Sequence, residues 1–230
     1  MTAITTRDEL IAVVASTLNR TDLTSDIPGW ISLCEQRHRG AVENGGVRIR
    51  EMLTRDTSQI TSRYLDLPTD FIEMKRLRVQ ATTTADPWPV TQVTPDEITG
   101  YRQKAARSQA IFTWSRARPA NLPLFYSVQD QIEFDVDPSD FDDDLPYAEF
   151  LFYDGAKVLP LSDSVASNAI LARASGLYLY GTLVHSAPFL MDDARIETWE
   201  AAYQALVAGV NAVDRKRGGQ IASRVSGSTP

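Results

Sequence analysis

A single cysteine among 230 residues, Cys34, excludes an internal disulfide framework and any metal centre built on several thiolates. Stability must therefore come from packing. No apolar run approaches the roughly 20 residues that a membrane-spanning helix needs. The opening stretch MTAITTRDELIAVVASTLNR lacks a basic segment ahead of its apolar residues and so does not read as a secretory signal; export by the standard route is not expected. A surplus of positive charge is missing too. With 23 Lys and Arg against 30 Asp and Glu, the net charge is −7, which argues against gripping DNA by phosphate neutralisation. It does not argue against lying near DNA, since an acidic wall repels phosphates and lets a polyanion slide past.

What is present is ordinary globular material, 43% hydrophobic and 23% charged, enough for one large domain or a domain with an insertion. Thr6-Arg7-Asp8-Glu9 forms a capping box that starts a helix over about 6–19, with Leu10, Ile11, Val14 and Leu18 on one face. A second helix is predicted after Ser25, with Pro28 in its first turn and a stripe of Ile27, Trp30, Ile31, Cys34 and His38, running to about Glu43 before Asn44-Gly45-Gly46 stops it. From Val47 to about Phe152 the period becomes alternating. Val47-Arg48-Ile49-Arg50, Met74 to Val79, LFYSV, QIEFDV and YAEFLFY read as strands, interrupted by one short helix at the capping box Thr94-Pro95-Asp96-Glu97.

Beyond Pro160 the pattern is helical again. Ser164 to Leu171 is a short helix, and LYLYGTLVHSAPFLM is a buried helix bent or interrupted at Pro188. Ile196, Trp199, Tyr203, Leu206, Val210 and Val213 then recur at steps of three and four, with Asp192 or Asp193 as cap and Arg215-Lys216-Arg217 followed by Gly218-Gly219 at the end. The expected class is α+β. Residues 1–46 supply N-terminal helices, 47–160 an inserted antiparallel β-rich domain with a short helix, 161–217 C-terminal helices, and 218–230 an extended arm. The helix-packing core is expected from Trp30, Leu183, Ile196, Trp199, Tyr203, Leu206 and Val210.

Candidate chemistry is thin. The run FDVDPSDFDDDLPYAEF carries Asp135, Asp137, Asp140, Asp142, Asp143 and Asp144, but an EF-hand loop started at Asp135 would put Asp140 where Gly belongs and Pro146 where Glu belongs. A solvated inter-strand loop is expected. Cys34 and His38, four apart, are half of a metal site that His185 and a carboxylate would have to complete; their shared apolar stripe favours a buried thiol beside a histidine. His185-Ser186 are adjacent and face apart on a helix. There is no G-x-S-x-G, phosphate-cradling loop or dinucleotide fingerprint. Paired carboxylates for glycoside hydrolysis are a spatial arrangement that nothing here selects. Arg48, Arg50, Arg76 and Arg78 are expected to alternate outward on strands, with Arg102, Lys104, Arg107, Arg116 and Arg118 following. They fit a solvated face or pairing with acidic residues of a neighbouring subunit better than a nucleic-acid surface. No catalytic residue, metal ligand or cofactor is singled out, and no enzymatic activity is expected. The tail GGQIASRVSGSTP is too small and polar to pack alone; an ordered tail would be one whose Ile221 and Val225 dock on another chain as an extended arm.

Taken together, LDLPTDFIEMKRLRV, LPLFYSVQDQIEFDVDP, YAEFLFY, the LPLSDS stretch and LYLYGTLVHSAPFLMDDARIETWEAAYQALVAGVNAVDRKRGG resemble the head-to-tail adaptor (connector) proteins of tailed bacteriophages over roughly residues 47–219. The most specific part runs from Leu177 through Trp199 and Tyr203 to Arg217. The resemblance implies a helical bundle with an inserted β domain. It also implies a virion structural protein at the head-tail interface, forming a homo-oligomeric ring, commonly a dodecamer, beneath the portal protein. It would be seated after DNA packaging, its partners would be copies of itself, the portal and a tail or nozzle protein, and genomic DNA would pass through the centre on ejection without specific binding, with no membrane. Ile221, Arg224 and Val225 would belong to the arm that reaches the portal. The alternatives are another connector component such as a tail-completion or stopper protein, a metal-dependent hydrolase using the acidic run with His38 or His185, and a DNA-binding module through the strand arginines.

Overall fold

The computed structural model describes residues 4–107, 122–137, 145–190 and 194–217. The chain divides into two units, one built from the residues up to Met52 and from Gly155 onward, the other from Leu53 to Asp154.

In the helical unit, α1 (Arg7–Leu18) opens on the capping box, where Thr6 Oγ1 accepts from the Glu9 amide at 3.3 Å and the Glu9 carboxylate accepts from the Thr6 amide at 3.1 Å. It closes at Asn19, left-handed at φ 55°, and buries Leu10, Val14 and Leu18. α2 (Ile27–Arg39) carries Pro28 in its first turn, where no amide is needed. The helix expected to reach Glu43 stops at Arg39; a 3-10 turn at Val42–Asn44 follows, with Gly45 at φ +93°, a conformation that favours glycine.

After residue 154 come α4 (Ala169–Arg173), α5 (Ser175–His185), α6 (Ala187–Leu190) and α7 (Arg195–Arg217). α4 starts later than expected, because Asn168 is its cap while Ser162 and Val165 bond one another's backbone in a turn. The expected break at Pro188 falls at Ser186, and Pro188 sits in the first turn of α6, where it is tolerated. α5 packs against α1, α2, α4 and α7. Trp30, Leu183, Trp199 and Tyr203 are buried, whereas Ile196, Leu206 and Val210 are half-buried and Val213 is exposed; the buried line of α7 runs through Trp199, Tyr203, Val207 and Asn211.

Val47 to Arg50 is not a strand. Val47 and Ile49 are buried, a 3-10 turn follows at Arg50–Met52, and Arg48, expected outward, is buried. Its partners are side chains and loop carbonyls, not a neighbouring strand.

The second unit comprises β1 (Leu53–Gln59), β2 (Tyr64–Asp66), β3 (Phe71–Gln80), β4 (Trp88–Pro89), β5 (Thr91–Gln92), α3 (Pro95–Arg107), β6 (Phe125–Val128), β7 (Gln131–Phe134) and β8 (Tyr147–Asp154). One sheet has the order β1-β8-β3-β4 and the other β2-β7-β6-β5. All pairings are antiparallel except β5 with β6, a two-residue parallel contact that corrects the expectation of a purely antiparallel domain. Alternation puts Leu77 and Val79 of β3, Phe150 and Phe152 of β8, and Tyr126, Ile132 and Phe134 of the second sheet into one apolar core.

Candidate functional site

The densest group of polar side chains lies in the interior of the helical unit, where α2, α5 and α7 meet. Gly181 lets them approach, since a Cβ there would fall 2.4 Å from Cys34 Sγ and 3.0 Å from the Tyr203 ring. Glu35 Oε1 accepts from the Leu161 amide at 2.7 Å and from the Tyr178 hydroxyl at 3.0 Å. Asn168 Nδ2 in turn donates to that hydroxyl at 2.6 Å. Burial raises the Glu35 carboxyl above its ordinary value, opposed by these two hydrogen bonds.

His38 stands edge-on to Tyr178, with centroids 5.0 Å apart, and parallel to Tyr203 at 6.1 Å. Its Nε2 is 3.4 Å from Cys34 Sγ. Burial, with the nearby Arg37 cation and His185, pulls its pKa down to about 3, so the ring is neutral. Burial likewise pushes the Cys34 thiol up, with Glu35 adding to the effect, and the thiol stays protonated. Arg37 forms a two-pronged pair with Glu200, holding that carboxyl below the usual range, and its guanidinium lies 4.3 Å from the Tyr203 centroid. Tyr203 donates to Gly45 O at 2.8 Å. Asn211 Oδ1 accepts from the Arg48 amide at 2.8 Å and its Nδ2 donates to Gly46 O at 3.0 Å, while the Arg48 guanidinium reaches Gly40 O at 3.0 Å.

These bonds lock the 40–48 segment onto α2 and α7. The arrangement contains an inert thiol, a neutral imidazole and a carboxylate already occupied by two donors, so it has no activated nucleophile and no base poised for proton transfer. An open cleft with about 300 Å³ of empty volume lies beside it, lined by Glu35, His38, Arg39, Leu159 and Tyr178 among others. Cys34 and His38 come together as their spacing predicts, but among the described residues no group of three or more His, Cys, Asp or Glu is placed to hold a metal ion. Asp135 is occupied, its Oδ1 accepting from the amides of Leu124 and Phe125. Of the acidic run, residues 138–144 lie outside the described residues, as do Arg116, Arg118 and the arm with Ile221, Arg224 and Val225. Among the strand cations, Arg76 lies 3.7 Å from Glu149, and Arg102 of α3 lies 2.7 Å from Glu133. Also among the described residues, no helix is long and apolar enough to cross a membrane.

The sequence comparison adds what this geometry does not: the family model described as SU10 adaptor protein matches residues 5–225. The chain belongs to the SU10 adaptor protein family. A comparison with curated proteins returns no match. As a phage head-to-tail adaptor it is a member of a structural family, and the polar interior is a device for fixing helices. The sequence reading missed Glu35, Tyr178 and Asn211. Glu35 was detectable in principle, because it sits four residues after Ile31 on the buried stripe; the roles of Tyr178 and Asn211 depend on partners far along the chain.

Proposed function

We infer that copies of this SU10 adaptor close into a ring of about twelve subunits at the head-tail interface of the virion, between the portal protein and a tail or nozzle protein. The N- and C-terminal helices act as the bundle that carries the inserted β domain, and residues 218–230 act as an arm that docks on the portal through Ile221, Arg224 and Val225. Genomic DNA passes through the centre without specific binding. The function is assembly without bond making. Repeated weak contacts held in one ring act together, so modest surfaces give stable docking. Assembly takes place in the host cytoplasm.

The observation that carries this reading is the family match across residues 5–225. The net charge of −7 is consistent with a passage that does not hold DNA. The test is to mix the purified chain with purified portal rings and to count copies per complex by native mass spectrometry. Full-length protein is expected to add as a closed ring. Deleting 218–230 is expected to leave the circular-dichroism spectrum and melting unchanged while weakening docking by about tenfold, on the order of 1.4 kcal/mol per site. Unchanged docking of the truncated chain would remove the arm from the account, and absence of any portal complex would remove the ring.

A further inference from the structure

Residues 53–154 hold 17 acidic against 10 basic side chains and thus the whole net charge of −7, while the remaining residues hold 13 of each. Yet the face of the β1-β8-β3-β4 sheet that points away from the apolar core is basic. The pairing register sets Arg55 of β1 and Arg76 of β3 on either side of Leu151, and Thr57 and Arg78 on either side of Glu149. Three arginines therefore surround one carboxylate, with Arg55 Nε at 3.3 Å and Arg76 Nη2 at 3.7 Å. Lys75, at the irregularity between Met74 and Arg76, reaches the Tyr153 hydroxyl at 3.3 Å. The Glu149 side chain is only 12% exposed, whereas Arg55 is 66% and Arg76 39% exposed. Glu73, paired with Tyr153 in the register, is an exposed carboxylate on the same face, so what the face presents is four cations against Glu73 and the mostly covered Glu149, a positive balance.

A surface of arginines around the half-buried Leu151, with half-buried Tyr147 on the same face, has the composition of a protein interface. Guanidinium groups are weakly hydrated and pair with carboxylates in a planar fork, so they lose little on being covered by an acidic partner. The complement exists on the same unit. Among the described side chains, with Arg55, Lys75, Arg76 and Arg78 set aside, together with Glu73 and Glu149, the β unit keeps 11 acidic against 2 basic, and of the 11 only Glu133 and Asp154 are buried. We propose that this sheet face docks on the acidic remainder of the β unit of a second copy, as the charged part of the contact between neighbouring subunits; the proposal rests on the ring reading above. A basic face meeting an acidic one is a heterologous contact, which repeats at every junction and closes when the rotation closes. A nucleic-acid backbone is a poorer occupant, because the surplus carboxylates of the same unit repel phosphates before four cations can neutralise them.

The test places a photo-cross-linking residue at the exposed Thr57 (Thr57→p-benzoylphenylalanine) in the full-length chain. Heavy-isotope and normal protein are mixed equally, assembled on portal rings, irradiated and digested for mass spectrometry. Mixed-isotope cross-links from position 57 to acidic peptides within 53–154 are expected, falling about tenfold in high salt or with Arg55→Glu and Arg78→Glu combined. Capture at position 57 of portal protein only, or of nothing, overturns the proposal. If cross-linkers at other surface positions still join two copies, the ring stands and only this face is wrong. If no position joins two copies, the ring reading fails, and the proposal with it.

Discussion

The interiors of the two units are built on different principles. At the centre of the β unit, a cluster of ten apolar side chains from Ile60 to Phe152 carries one polar atom, the Tyr126 hydroxyl, and the polar residues that the unit also buries, Gln80, Ser127, Glu133 and Asp154, are not members of it. The helical unit instead interleaves its leucines and isoleucines with Cys34, Glu35, His38, Thr182 and Asn211, all buried. Charge is distributed the other way, with none net on the helical unit and all −7 on the β unit. Alternating strands find their register by sending apolar residues to one side, so a dry core suffices. Packed helices can slide or rotate past one another with little change in apolar burial, and bonds such as Tyr203 to Gly45 O and Asn211 to Gly46 O admit one register only. Register inside the helical unit is thus fixed by hydrogen bonds, whereas the β unit fixes its own by alternation and holds the net charge.

That contrast is most easily broken in the dry core. Phe150 is 1% exposed between the two sheets, and Phe150→Ala is expected to cost about 3–5 kcal/mol in transfer energy and cavity. Denaturant unfolding of the full chain measures it, and a loss below about 1 kcal/mol would show that the sheets repack freely. In the helical unit the sensitive point is space. Gly181→Ala pushes a methyl to 2.4 Å from Cys34 Sγ, an overpacking expected to cost about 1–3 kcal/mol. Adding Cys34→Ala removes the obstructing sulfur, so the double variant should be more stable than the sum of the two losses by about 1 kcal/mol. Strict additivity in that cycle would place the strain elsewhere.

What the sequence made legible was local. The capping boxes at Thr6 and Thr94 form as read, the second with the Thr94 amide donating to the Glu97 carboxylate at 2.9 Å, because each needs only four consecutive residues. Trp199 and Tyr203 were found on α7, but the apolar marks at Leu206, Val210 and Val213 led the stripe off the buried line, which continues through Val207 and Asn211. A buried asparagine looks like a surface residue until its partners, the Arg48 amide and Gly46 O, are known. The same ignorance turned Val47 to Arg50 into a strand. Its alternation is real, yet its backbone is satisfied by helices, the Val47 amide by His38 O of α2 at 2.8 Å and the Arg48 amide by Asn211 of α7 at a separation of 163. The Cys34 and His38 pair was legible as a pair, since i and i+4 share a helix face; that the network continues to Tyr178 and Tyr203 required the packing of α5 and α7.

The smallest effect expected separates the units by pH. His38 in the fold takes up its proton only near pH 3, against 6.5 for the ordinary side chain. Between those values the unfolded chain holds the extra proton, so the stabilisation present above pH 6.5 is lost progressively as the pH falls toward 3. The slope is at most about 1.4 kcal/mol per pH unit, and the loss between pH 6.5 and 5.5 should be about 1 kcal/mol or less. Glu35 acts with the opposite sign: burial raises its folded pKa, so its contribution is present in acid and lost as the pH rises through that raised value. The comparison is therefore made in a Glu35→Gln background, where Oε1 can still accept from Leu161 and Tyr178, and the midpoint of urea unfolding is followed against pH with and without His38→Gln. The histidine-containing chain should show the steeper acid slope whatever the absolute stability of the variant, while Phe150→Ala should shift the whole profile without tilting it. Parallel profiles with and without His38 would mean that the ring titrates in the fold as it does in the unfolded chain, and the burial of His38 beside the open cleft would have to be given up.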